Sequence, residues 1–401
     1  MEIDVRPFDG TPRAFVESAS IGFSEHLTDE SAGIWEAVFE PDRAIGAFDG
    51  ERLVGQAGAI SFELTVPGGM LPTAGVTAVG VHPTHRRRGI LRRMMQHQLE
   101  DVHRRGEPLA ALWASEGVIY QRFGYGLATL RAGVKVERHR NAFRRPHIFA
   151  GRLRMIGEDE ARAAFPPVYD AIRPTRPGFF TLSPDLWHAE VFYFPEQWRR
   201  GRGAPFHVVH EVDGEVDGYA RYAIREGDTN EVSVLDMMAA TPAASLDLWR
   251  YLLDIDLMSR VEWWNLAVDD PLLLSVAEPR KLEWTVGDAL WLRIVDVSSA
   301  LAARGYRSDG RAVIQVTDEL CGWNEGRWSL RVEGGTAHVE STEGAADLAC
   351  EIADLAAAYL GGFSFAQLAA AARVSELSPG GIERADALFR TDRAPWCPRV
   401  F

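Results

Sequence analysis

Residues 79–91 read Val-Gly-Val-His-Pro-Thr-His-Arg-Arg-Arg-Gly-Ile-Leu. A strand ends at Pro83, a basic turn follows, and a helix opens at Gly89. This order of strand, corner and helix belongs to an α/β layer and restricts the fold accordingly. It also has the chemistry of an anion cradle. The first N–H groups of a helix lack intrahelical partners, and the helix dipole adds partial positive charge there. Arg86, Arg87 and Arg88 add full charges, and Gly89 lets the backbone come close to an anion. A pyrophosphate suits such a corner. A second element follows at residues 115–125, Ser-Glu-Gly-Val-Ile-Tyr-Gln-Arg-Phe-Gly-Tyr.

With 401 residues, the chain is too long for one ordinary core and predicts two or three domains. A hydrophobic content of 46% and a charged content of 25% are those of a folded protein. No run of 18 apolar residues occurs, so no membrane span is expected, and the charged start Met1-Glu2-Ile3-Asp4 has no signal-peptide core. Cys321, Cys350 and Cys397 are widely spaced. They predict neither a metal site nor a disulfide framework, and suit a reducing cytoplasm. The net charge of -14 argues against nucleic acid as a partner. One dense basic corner on an acidic chain suggests an anionic cofactor at the corner and a cationic substrate elsewhere.

The first 135 residues alternate helix and strand signals. Glu30 to Glu40 suits a helix capped by Asp29 or Ser31. Ala44–Phe48 and Leu53–Thr65 read as strands joined at Asp49-Gly50, and Thr73–Val81 as the next. Gly89–Arg105 is a helix whose Leu91, Met94, Met95, Gln98, Leu99 and Val102 recur near the helical period. Leu109–Trp113 is a strand, Ser115 caps a following helix, and Leu127–Val136 is a further strand. Residues 139–150 look like a solvated connector.

The rhythm then repeats. His207–Val212 and Tyr219–Ile224 form a hairpin, Val232–Met238 a strand, Pro242 to about Met258 a helix, and Val261–Val268 a strand. Ala239-Ala240-Thr241-Pro242 stands at the corner, so this copy lacks the cradle. Beyond residue 286 the pattern becomes α+β. Strands are expected at Leu290–Val297, Ala312–Val316, Trp328–Val332 and Thr336–Glu340, with helices at Ala345–Tyr359, Phe365–Ala371 and Ile382–Phe389. The tail, Pro395-Trp-Cys-Pro-Arg-Val-Phe401, is apolar and would prefer burial, unlike most chain ends. A buried terminal carboxylate needs a partner or a purpose.

Val-x-Val-x-Pro followed by Arg-x-x-Gly resembles the acetyl-CoA motif of GCN5-related N-acetyltransferases. Leu71-Pro-Thr-Ala-Gly75, the 83–89 corner, Ala114-Ser-Glu-Gly117, Arg122-Phe-Gly-Tyr-Gly126 and Leu290-Trp-Leu-Arg-Ile294 together resemble the enhanced intracellular survival (Eis) acetyltransferase family over the whole chain. The resemblance implies tandem acetyltransferase-type domains, mixed sheets flanked by helices, and a sterol-carrier-like α+β domain. Residues 1–140 would be the acetyl-CoA-binding domain, 141–287 the copy without a cradle, and 288–401 the third domain. It further implies a homo-oligomer, usually a hexamer, and acetylation of amines on aminoglycosides or similar polyamines.

By position, the backbone of Val79, Gly80 and Val81 would pair with the pantetheine arm. Arg86, Arg87, Arg88, Gly89, Ile90, Leu91 and Arg92 would face the pyrophosphate, and Ser115 and Glu116 the reactive end. Phe23, Glu25 and Trp35 would line the acceptor pocket. Ala78 and Val400 replace an aromatic and an acidic residue carried by some members, which implies a pocket of different shape and less negative charge.

Attack by a neutral amine needs one proton off the nitrogen and one onto the sulfur. The resemblance assigns Tyr120 as acid and the Phe401 carboxylate as base. Tyr125 is the rival phenol, although five-residue spacing sets the two on different faces. A terminal carboxylate near 3.5 is a weak base for an ammonium near 10, a gap of about 6 units or about 8 kcal/mol. It would therefore act after attack, or through a water. Two other readings compete: a protein or peptide lysine acetyltransferase without drug activity, and a hydrophobic-ligand carrier whose acetyltransferase domain is inactive.

Overall fold

The computed structural model describes residues 3–227 and 229–401. Met1 and Glu2, part of the expectation for the N-terminus, and Asp228 lie outside the described residues. Three sheets organise the chain. The first has seven strands in the order Asp4–Pro7, Ile45–Asp49, Arg52–Val66, Gly69–Val81, Leu109–Trp113, Leu290–Ile294 and Gly126–Leu127. Gly69–Val81 pairs parallel with Leu109–Trp113, and the other neighbours are antiparallel. Parallel neighbours need a crossover, and helix Ile90–Arg104 supplies it. Its Met94, Met95, Gln98, Leu99 and Val102 are buried, as their spacing predicts.

The second sheet repeats this plan. Its order is Thr285–Asp288, Leu130–Glu137, Met258–Leu266, Asn230–Ala239, Glu215–Arg225, Phe206–Val212 and Arg152–Ile156. Again one parallel pair, Asn230–Ala239 with Met258–Leu266, is bridged by a helix, Pro242–Asp254. A third sheet of five strands packs with helices Ile352–Tyr359 and Gly381–Phe389.

Strand membership crosses the expected domain limits. Leu127–Val136, expected as one strand, is two. Gly126–Leu127 stays in the first sheet, and Leu130–Glu137 joins the second. Leu290–Ile294, expected within the third domain, completes the first sheet and is buried throughout. Helix Ile352–Tyr359 of the third domain packs on it with all eight residues buried. Arg293 on that strand donates to both oxygens of Asp318, at 2.8 and 2.7 Å, in full burial.

Other expectations need correction. The helix from Pro242 stops at Asp254, because Met258 already belongs to a strand. Leu290–Val297 ends as a strand at Ile294, and Val297 opens a helix capped by Asp296. Ala345–Tyr359 contains strand Leu348–Glu351 before its helix. Residues 139–150 are anchored to the second domain rather than solvated throughout. Arg144 N donates to the Ser275 carbonyl at 2.8 Å, and Asp247 takes His147 Nε2 at 2.6 Å and Ala150 N at 2.8 Å.

The tail crosses the second domain and ends on the first. Trp396 N donates to the Pro177 carbonyl at 2.9 Å. Arg399 Nη2 reaches Asp236 Oδ2 at 2.8 Å and the Tyr219 hydroxyl at 3.1 Å. Among the described residues, no helix is long and apolar enough to cross a membrane.

Candidate active site

The site begins where the first sheet opens. Pairing of Gly69–Val81 with Leu109–Trp113 stops at Gly75 and Ala111, so the two strands diverge beyond that point. On its other edge the strand shifts register against Arg52–Val66 between Gln56 and Gly58. Ala78 sits at this bulge with a φ of 52°, a left-handed value that costs a non-glycine residue energy. A polar chain holds it there. Gln56 Nε2 donates to the Ala78 carbonyl at 3.1 Å, and Ser18 Oγ donates to Gln56 Oε1 at 2.6 Å. His82 Nε2 lies 2.9 Å from Ser18 Oγ, and burial, with Arg52 and His85 nearby, lowers its pKa. Among the described residues no strand pairs with Val79, Gly80 and Val81 on the side of Leu109–Trp113, which leaves room there for an extended ligand.

The corner follows directly. Arg87 (φ 62°) and Gly89 (φ 74°) are both left-handed, the backbone conformation from which anion-binding nests of N–H groups are built. Gly89 is the N-cap of helix Ile90–Arg104, and among the described residues no side chain caps the first-turn N–H groups. The Arg86 guanidinium is otherwise engaged, donating to the carbonyls of Gly22 at 3.0 Å and Val81 at 3.3 Å. These bonds tie the corner to helix Pro12–Phe23 and to the strand before it.

A cavity of about 970 Å³ runs along these groups. Val79, Gly80, Val81, Arg86, Arg87, Gly89, Ile90, Leu91, Arg92, Ser115, Glu116 and Tyr120 all line it. Arg88, expected with them, is exposed and is not among the lining residues. Ser115 does not cap the next helix: Glu116 occupies the N-cap, without a side-chain bond. Gly22, Val118 and Arg122 also line the cavity, and nothing in their spacing announced it.

The two phenols differ in environment. Tyr120 faces the cavity, and burial pushes its pKa up to about 12. Tyr125 is fully buried, its hydroxyl has no partner, and burial raises its pKa as well. Its ring packs edge-on against Tyr120 at 6.0 Å.

A second cavity, of about 350 Å³, lies across the bulge. Phe23, Glu25 and Trp35 line it, with Ala78 and Phe401. Phe15, Phe39 and Ile60 give it apolar walls, and Trp198 reaches in from the second domain. Phe23 borders both cavities. Sequence reasoning missed Trp198 and Glu40, which also lines the second cavity. Among the described residues, no group of three or more His, Cys, Asp or Glu is arranged to hold a metal.

Could a coenzyme A thioester fit? The elongated cavity, the free strand edge and the nest of N–H groups match its pantetheine arm and diphosphate. Residues 10–128 and 180–294 match GNAT acetyltransferase domain families, and residues 297–398 a sterol carrier protein domain. An uncharacterised N-acetyltransferase of Streptomyces avermitilis is 42% identical, covering 93% of this chain and 92% of its own. The N-acetyltransferase Eis of Mycobacterium tuberculosis is 35% identical, covering 96% and 95%. The crystal structure of Eis1 from Mycobacterium abscessus superposes with a TM-score of 0.86 at 34% identity, over 100% of both chains.

Proposed function

The chain belongs to the Eis family of N-acetyltransferases, and from that premise we propose that it moves the acetyl group of acetyl-CoA to an amine of a cationic small molecule, an aminoglycoside or similar polyamine. The observation that carries this reading is the shared border at Phe23. Tyr120 lines one cavity, Phe401 lines the other, and the two cavities meet there.

Bound acetyl-CoA supplies an activated acyl carbon and a thiolate leaving group. The nest at Arg87 and Gly89 holds its diphosphate, and the free edge of Val79–Val81 aligns its arm. Tyr120 keeps its proton across the neutral range, because burial has raised its pKa to about 12. Full transfer to a free thiolate near 8.5 is uphill by roughly 3.5 units, or ~5 kcal/mol. Tyr120 therefore acts by donating a hydrogen bond to the charge building on sulfur as the bond to carbon breaks, and the thiolate leaves while so stabilised. The Phe401 carboxylate accepts the amine proton after attack, when the nitrogen has become acidic.

A homo-oligomer, with the hexamer implied by the family, belongs to the same reading. Ile148, Leu257 and Leu274, exposed by 86, 83 and 81%, offer apolar surface for it. A cytoplasmic location suits the three free, buried cysteines.

The test is thiol release from acetyl-CoA with aminoglycosides, simple polyamines and lysine-bearing peptides, alongside calorimetric titration of acetyl-CoA. Turnover with polyamines is expected. Turnover confined to peptides moves the acceptor to protein lysines, and the absence of acetyl-CoA binding overturns the reading.

A further inference from the structure

A third cavity, of about 430 Å³, opens beside the acceptor cavity and shares Val38, Phe39, Glu40 and Ile60 with it. Three of these shared residues are apolar. The fourth, Glu40, is a carboxylate held from behind. Ser61 N donates to Oε1 at 2.7 Å, and Ser61 Oγ donates to Oε2 at 2.6 Å. Arg43 Nη1 in turn donates to Ser61 Oγ at 2.7 Å. That arginine does not neutralise Glu40, because it forms a buried, two-pronged pair with Glu107. Among the described residues Glu40 has no ion-pair partner, and each of its oxygens keeps a lone pair free. Among the described residues, no side-chain hydrogen bond fixes Glu25, the other carboxylate of the acceptor cavity.

We propose that the two cavities form one acceptor groove in which Glu40 is the subsite for a second ammonium, so that the protein selects acceptors carrying a further cationic amine beside the reacting one. The inference rests on the acetyltransferase reading. An ammonium makes strong charge-assisted bonds to a carboxylate, and apolar walls strengthen them. A carboxylate already fixed by Ser61 loses little freedom on binding, which favours affinity. Placing the second charge at the divide leaves the first amine free to deprotonate near Phe401.

The test compares cadaverine with pentylamine as acceptors, by thiol release on the full-length protein. The native protein should favour the diamine by about tenfold or more in kcat/KM, mainly through KM, as one charge-assisted contact allows. Glu40→Gln should lower that ratio about tenfold, and Ser61→Ala, which removes one of the two bonds holding the carboxylate, should lower it part-way. Calorimetry with acetyl-CoA checks that each variant is folded. If Glu40→Gln no longer binds acetyl-CoA, the native ratio decides. A native ratio near one overturns the subsite, as does a ratio unchanged in a folded Glu40→Gln. Failure of the native protein to turn over either amine or any polyamine would instead overturn the acetyltransferase reading itself.

Discussion

The ring of Phe401 meets that of Phe62 edge-on, with centroids 5.0 Å apart and planes at 64°. Phe180 closes the other side at 5.1 Å. Beneath them the strand carries Gly75, where a Cβ would stand 2.2 Å from Phe62 Cε2 and 3.1 Å from Phe401 Cε2. The last residue thus sits in a seat built by the first sheet and by the segment that follows helix Glu158–Ile172.

Residues appended after Phe401 convert its carboxylate to an amide and crowd the seat. Turnover is expected to fall by about two orders of magnitude, the lower range for loss of a proton-transfer group. Acetyl-CoA affinity, measured by calorimetry, should change little, since the cradle lies elsewhere. Unchanged turnover would remove Phe401 from the chemistry.

Tyr120→Phe should lower kcat about a hundredfold, with little change in KM for acetyl-CoA. Tyr125→Phe should leave kcat within about threefold, because it deletes a buried hydroxyl that has no partner. A Tyr120 pKa raised from 10.0 to about 12 means that its stabilising contribution is whole below pH 10 and is lost as pH rises through 12. A rate–pH profile that dropped near pH 9 and flattened in Tyr120→Phe would contradict this.

Arg399 anchors the tail two residues before that seat. It pairs with Asp236 at 2.8 Å, both side chains nearly buried, and its guanidinium lies over the rings of Tyr169 and Trp187. Burial alone would lower its pKa, but Asp236, Tyr219 and Tyr169 outweigh this and raise it. Arg399→Met leaves Asp236 buried and uncompensated, a loss of about 3–5 kcal/mol. Thermal unfolding should come several degrees lower, with turnover reduced in parallel. Adding Asp236→Asn should recover stability but not turnover, and recovery of both would mean that the pair does not position the chain end.

Glu190 lies on a π-helical turn, Trp187–Phe192, and its Oε1 is buried without a partner. Burial, partly opposed by Arg399, pushes its pKa from 4.5 up to about 8. The folded state then binds the proton more tightly than the unfolded one. Its contribution is whole below pH 4.5 and is lost as pH rises to about 8. Glu190→Gln should therefore raise the melting temperature more at pH 8 than at pH 5. An equal shift at both would show that the carboxyl does not titrate in that window.

Elements whose cause is local were legible. The corner at residues 83–89 needs only a proline, a glycine and an orphaned helix start, all supplied by adjacent residues. The helix Ile90–Arg104 follows from its own spacing, and the tail's wish for burial from its composition. Errors arose where one apolar run served two elements. Leu127–Val136 has the alternation of a single strand, and period-two patterning does not say which sheet a strand joins. The apolar run of Ala345–Tyr359 hides a strand pairing with Gly310–Thr317 ahead of its helix. Ser115 has a capping side chain, but the backbone enters the helix one residue later, at Glu116.

The sequence by itself determined the strand, basic corner and helix of residues 79–104, the repeat of strand, helix and strand, and the family. Only the tertiary structure decided that Leu290–Ile294 completes the first sheet, that Arg86 bonds the carbonyls of Gly22 and Val81 while Arg88 is absent from the cavity lining, and where Phe401 comes to rest. It also decided that Glu40 stands between two cavities with Ser61 behind it. These outcomes depend on contacts between residues far apart in the chain. Such contacts are chosen by packing and burial, and they leave no mark in local spacing.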